Sequence, residues 1–144
     1  MKRFRLTHLL SWLLQFSWGL PQNLAGLVLF LALRLRDPAL PVRVYHGAVL
    51  CEWKRPYSAG LGMFIFFGHG KAPGAEEIRA HEFGHTVQSV ILGPLFLPVI
   101  GLPSAVWAFA PCFVKLRRSG RKRYSDFYPE GWADRLGRSL TRRA

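Results

Sequence analysis

Apolar and polar positions fall along this chain in blocks, and the blocks predict its elements. Residues 9–35 contain one charged side chain, Arg34, and read as helical. Gly19 and Pro21, within SWGLPQN, break that pattern in its middle, so the run predicts one kinked membrane span or two half-helices. Residues 42–53 (VRVYHGAVLCEW) and 60–69 (GLGMFIFFGH) are rich in β-branched and aromatic side chains, with the turn-forming KRPYSAG between them. Together they predict a β-hairpin over 42–69. Pro73 and Gly74 end the second strand, and Glu76 and Glu77 lie where a helix N-terminus favours negative charge, which predicts a helix over 75–92. Residues 90–114 are uncharged and exceed the roughly 20 residues a transmembrane helix needs. Pro94, Pro98, Gly101 and Pro103 nevertheless argue against one regular rod there. A basic cluster and a Tyr-rich connection follow, and a short polar helix is expected over 129–139. Residues 1–144 are expected to form a single α+β domain.

Charge points to a bilayer. Half of the residues are hydrophobic and the mean hydropathy is +0.12, yet 20 basic side chains against 8 acidic ones give a net charge of +12. Such a mixture suggests a membrane protein with basic rims. Nucleic acid is the other usual partner of so basic a chain, but these basic residues surround apolar blocks and form no recognisable nucleic-acid-binding motif, so none is expected. Cys51 and Cys112 stand far apart without a CxxC pair, which indicates neither a zinc ribbon nor a disulfide framework; two buried thiols are expected. MKRFRLTHLLSWLLQFSWGL has the basic head and apolar run of a signal peptide, but bulky residues replace the small ones a cleavage site needs, and we read it as retained.

The chemistry is concentrated in RAHEFGHTVQ, residues 79–88. On a helix His81 and His85 project from one face, one turn apart, and can offer two imidazole nitrogens to one ion. Glu82 falls beside it, where a carboxylate can take a proton from zinc-activated water and pass it to a leaving amine. This is the HExxH arrangement of zinc peptidases. Zinc then needs a third protein ligand and an open position for water. A metzincin-type histidine would stand at position 91, which is Ile, and the accompanying glycine at position 88, which is Gln. No histidine follows His85, so Asp126, Glu130 and Asp134 are the remaining acidic candidates.

HExxH followed by E-x-x-x-D, here within PEGWAD, resembles the gluzincin superfamily of thermolysin-like zinc metallopeptidases. The resemblance covers only those two short motifs. It implies a zincin-like active-site helix and a C-terminal ligand helix, with His81, His85 and Glu130 as zinc ligands. It also implies Glu82 as general base and Asp134 as the hydrogen-bond partner of a ligating histidine. HEFGHTVQSVILG is also similar to the intramembrane site-two proteases, although their second motif, Asn and Pro followed by Asp-Gly, is missing. His69 could approach the site from the hairpin, while His8 and His46 receive no role. Tyr124 and Tyr128 flank Glu130 and could donate to a developing oxyanion, and an aromatic belt at a membrane surface explains them equally well. GLGMFIFFG is open to two readings, an edge that holds a substrate extended and a core strand.

A straight crossing by residues 90–114 would put His85 and Glu130 on opposite sides of a bilayer. A shared ion therefore requires a re-entrant hairpin or a broken helix, which the prolines and Gly101 can supply. Two full crossings would also leave Arg34, Arg36, Arg43, Lys54, Arg55, Lys71 and Arg79 on the outer face, against the positive-inside rule. The expectation is an α+β membrane protein, its two apolar segments re-entrant or kinked and its basic residues on the anionic leaflet of a bacterial plasma membrane, the site facing the cytoplasm. Its expected activity is that of a membrane-associated zinc metallopeptidase acting on a peptide or membrane-protein substrate. The alternative is a non-catalytic zinc-binding membrane adaptor.

Overall fold

The computed structural model describes residues 2–68 and 73–142, and for residues 2–8 and Ser11 the backbone alone. His69 lies outside the described residues, as does the side chain of His8. The elements are α1 (Lys2–Ser17), α2 (Leu20–Arg36), β1 (Val42–Tyr45), β2 (Ala48–Glu52), β3 (Ala59–Leu61) and β4 (Phe64–Phe67). They continue as α3 (Ala75–Leu92), α4 (Leu102–Phe109), α5 (Pro111–Arg118) and α6 (Tyr128–Thr141). Both apolar blocks are broken. The first divides between α1 and α2 at Trp18 and Gly19, with Pro21 in the first turn of α2, where its missing N–H costs nothing.

The polar residues around that break are buried and act as a clamp. Asn23 Nδ2 donates to the carbonyls of Gln15 and Gly19 at 2.7 Å, while Asn23 Oδ1 accepts from Met63 N at 2.8 Å. Gln15 Nε2 donates to Thr86 O at 3.2 Å, and Gln22 Nε2 to Ser89 Oγ and Gly93 O, both at 3.0 Å. The interrupted helix is thus fastened to α3 and to the β3–β4 turn by hydrogen bonds that satisfy its freed backbone.

The sheet differs from the hairpin expected over 42–69. Strand order is β1-β2-β4-β3, with β1–β2 and β3–β4 antiparallel and β2–β4 parallel. Each expected strand folds back on itself at an internal pair. His46 and Gly47 have φ of 48° and 88°, which suits a two-residue hairpin turn with both φ positive, and Gly62 at 61° makes the second turn. KRPYSAG instead carries the chain from β2 to the far edge, and β4 returns between them. Phe64 and Phe66 pack toward Leu27, Phe30 and Leu33 of α2, whereas Ile65 and Phe67 pack toward Ile78 and Phe83 of α3. A strand covered on both faces reads as an unbroken apolar run, which explains FIFF.

Residues 90–114 form the end of α3, a tight turn over Gly93–Leu95, a wider one over Leu97–Gly101, then α4 and the first half of α5. Ala110 precedes Pro111 and is extended at φ −66° and ψ 130°, as a residue before proline prefers. Among the described residues no single helix is long and apolar enough to cross a membrane; Leu97–Phe109 and Pro111–Arg118 together have the length and composition but bend by 66°. Cys51 is buried, while Cys112, expected inside, is exposed on α5, where Phe113, Val114, Leu116 and Arg117 are the partly covered residues.

Candidate metal centre

The site is built on the contact between α3 and α6. A Cβ on Gly84 would meet the Ala133 backbone, its carbonyl carbon at 2.6 Å and its Cα at 2.8 Å. A Cβ on Gly137 would likewise meet the Ala80 carbonyl carbon at 2.5 Å. Ala80, Gly84, Ala133 and Gly137 are buried, so the two backbones touch along a seam of small side chains. This approach brings His81 and His85 of α3 to Glu130 in the first turn of α6.

Glu130 Oε2 lies 3.0 Å from His81 Nε2 and 3.5 Å from His85 Nε2. Ligands held tetrahedrally at about 2.0–2.1 Å from zinc stand about 3.3–3.4 Å apart, so the spacing suits such an ion. Among the described residues these three are the one group of His, Cys, Asp or Glu side chains able to hold a metal. Glu130 Oε2 is buried and makes no hydrogen bond of acceptable direction, although both imidazoles lie within ion-pair range. Donor atoms that crowd together without bonding to one another fit a cation between them.

The outward nitrogens are committed elsewhere. His81 Nδ1 lies 2.8 Å from Asp134 Oδ1, and His85 Nδ1 lies 2.7 Å from Gln88 Oε1. The Gln88 amide is oriented by its own Nε2, which donates to Pro129 O at 2.8 Å. With acceptors on both Nδ1 atoms, the protons sit there and each Nε2 presents its lone pair to the shared point. Ser104 of α4 donates its hydroxyl to Glu130 Oε1, leaving Oε2 for an ion.

In metal-free protein the neighbouring carboxylates favour a charged imidazole at His81. Burial works against a charged imidazole at His81, but the hydrogen bond to Asp134 and the carboxylates of Glu130 and Glu82 outweigh it and raise its pKa to about 10. Burial likewise works against charge on Glu130, and the His81 and His85 imidazoles with Ser104 outweigh it, holding that carboxyl well below its usual range.

His81, Glu82 and His85 face a cleft of about 670 Å³. One wall is the edge strand β3 with the loop before it, and the other is α4 through Ser104, Ala105 and Ala108. Gly60 permits the strand to lie this close, since a Cβ there would come 3.0 Å from Glu82 O and 3.1 Å from His85 Cβ. Tyr124 also lines the cleft, its ring centroid 6.2 Å from that of His81. Partial burial and the charges of Glu130 and Glu82 hold its phenol above the ordinary value, so it remains a hydrogen-bond donor. Tyr128 instead donates to Val99 O, outside the site. Asp126 accepts from Arg123 N at 2.8 Å and stands outside the ligand group, and His46 packs in the β1–β2 turn against Tyr45 and Phe83. The edge facing the site belongs to residues 59–61, while β4, the rest of GLGMFIFFG, is core.

Gln88 and Ser104 were not singled out from the sequence, though each leaves a trace there. Gln88 follows His85 by three residues on the same helical face, and Ser104 is the one hydroxyl in residues 90–114. No protein-family model, curated protein or solved structure matches this chain.

Proposed function

We propose that this chain is a membrane-associated zinc metallopeptidase that hydrolyses peptide bonds with Glu82 as general base. The observation that carries the reading is the convergence of His81 Nε2, His85 Nε2 and Glu130 Oε2 beside the buried Glu82, in a cleft edged by a β-strand. A zinc ion held by these three side chains supplies Lewis acidity that lowers the pKa of water from about 16 to about 7. Asp134 and Gln88 keep the imidazoles in the ligating tautomer, and Ser104 orients the Glu130 carboxylate. Glu82, 6 % exposed and lining the cleft with both histidines, takes the proton from the attacking water and delivers it to the leaving amine. The Tyr124 phenol donates toward charge developing on the scissile carbonyl oxygen. A substrate peptide lies extended along β3, using the free edge of that strand.

Membrane association is supported by apolar surface that folding leaves uncovered. Leu13, Val28 and Leu35 on α1–α2, and Leu95, Leu102 and Phe109 on the second block, are each at least 57 % exposed. Large apolar side chains left this exposed on both blocks suit contact with lipid or protein, and the bent, hydrogen-bonded breaks suit segments that enter a bilayer and return. Lys115, Arg117, Arg118, Arg121, Lys122 and Arg123 at the end of the second block can then meet anionic headgroups.

The test is E82Q in the full chain, purified in detergent. Zinc content should stay near one per chain while cleavage of a chelator-sensitive membrane substrate, found by comparing wild-type and variant membrane proteomes, is lost. A variant that still cleaves what the wild type cleaves would overturn the mechanism, and wild-type protein without zinc would overturn the site.

A further inference from the structure

The two walls of the cleft touch through a pair of aromatic rings. Tyr57, in the loop before β3, and Phe109, the last residue of α4, both line the cleft, and their rings meet edge to face with centroids 5.3 Å apart and planes at 77°. Each ring is also open to the outside, Tyr57 being 37 % and Phe109 61 % exposed. An aromatic pair that joins two walls of a cleft and is open to solvent contributes little to a core and narrows the space between those walls.

The two sides are anchored differently. Tyr57 is fixed to the sheet: its carbonyl accepts from Trp53 Nε1 at 2.7 Å, and the Trp53 ring packs on Tyr57 at 5.2 Å and on Phe66 at 5.4 Å. Phe109 stands beside the 66° elbow at Ala110, where no i→i−4 ladder continues into α5. Arg117 of α5 donates to the carbonyls of Trp107 and Ala108 and so ties the two arms together. The backbone is thus held on both sides, and the Phe109 ring, the more exposed of the two, is the freer to turn.

We propose that Tyr57 and Phe109 form an aromatic gate on the metal cleft, closed in this structure, which opens by rotation of the exposed Phe109 side chain and selects ligands by width. A single aromatic contact supplies an equilibrium factor on the order of 2- to 10-fold, so closure restricts wide ligands without sealing the site. Narrow ligands pass the closed pair. Broad ones wait for it to part, which favours an extended chain over a folded one. The inference rests on the metal reading of the site, and its test separates the two.

Full-length protein loaded with cobalt(II) is mixed with acetohydroxamate or with the much wider biphenyl-4-hydroxamate, and binding is followed by stopped-flow absorbance of the cobalt bands. Wild type is compared with Tyr57→Ala and Phe109→Ala. Both variants should bind acetohydroxamate at the wild-type rate, which also shows that they are folded, and should associate with the wide hydroxamate 2- to 10-fold faster. Unchanged or slower association of the wide ligand in both variants, with acetohydroxamate unaffected, overturns the gate alone. A wild-type chain that takes up no cobalt overturns the metal reading and the gate with it.

Discussion

Gly84→Ala tests whether the seam between α3 and α6 sets the metal site. The added methyl would lie 2.6 Å from the Ala133 carbonyl carbon and 2.8 Å from its Cα. Non-bonded carbons settle at about 3.5–4.0 Å, so the helices must separate by roughly 1 Å. Both contacts are backbone, and no rotamer change relieves them. Metal–ligand distances tolerate only about 0.2 Å, so a shift of that size takes Glu130 out of reach of an ion held by the two histidines. Overpacking costs about 1–3 kcal/mol; if metal release relieves that strain, zinc binds roughly 5- to 150-fold more weakly. Competition with a chromogenic chelator measures the loss, and far-UV circular dichroism checks that the helices persist. Gly101→Ala is the control, because its nearest neighbour is the flexible Leu97 Cδ2 at 3.4 Å. Wild-type zinc affinity in Gly84→Ala with unchanged helicity would show that close backbone packing does not position Glu130.

Gln88→Ala removes the acceptor on His85 Nδ1 and releases Pro129 O, and should weaken zinc binding about 10- to 100-fold in the same titration; Gln88→Glu, which retains the acceptor, should recover most of it. In metal-free protein, His81 contributes stability below its ordinary pKa of 6.5 and loses it as pH rises toward about 10, whereas Glu130 contributes above 4.5 and loses it as pH falls. Thermal stability of the apoprotein should therefore peak between about pH 4.5 and 6.5 and decline on the alkaline side, and a flat profile from 6.5 to 10 would contradict the raised His81 pKa. The same protonated imidazole must release its proton on zinc uptake, so the calorimetric heat of binding at pH 8 should vary with buffer ionisation enthalpy. Burial pushes the Cys51 thiol up to about 12, so an aromatic disulfide reagent should titrate Cys112 alone in native protein and both thiols in denaturant.

Some of this molecule was legible one residue at a time. The helix over 75–92 is announced by Pro73, Gly74, Glu76 and Glu77, all local signals, and α3 has those ends. His81 and His85 share a face because the helical period puts residues four apart on one side. The breaks in both apolar blocks come from Gly and Pro, whose restrictions act on their own backbone.

Partners distant along the chain were another matter. Alternation in 42–69 marks strands, but pairing depends on which turns close, and the positive φ at His46, Gly47 and Gly62 moves the turns inside the expected strands. Two parallel central strands result, rather than one hairpin. SWGLPQN signals a break, whereas its use as a clamp depends on Ser89 and Gly93, more than sixty residues from Gln22. The gluzincin resemblance named Glu130 among three acidic candidates, while its approach to two imidazoles required glycines on both helices. Local sequence determines the conformation each segment prefers, because torsional sterics and periodicity operate within a few residues. Only tertiary packing, through backbone contact between α3 and α6 and hydrogen bonds across the chain, decided that those segments surround a single point.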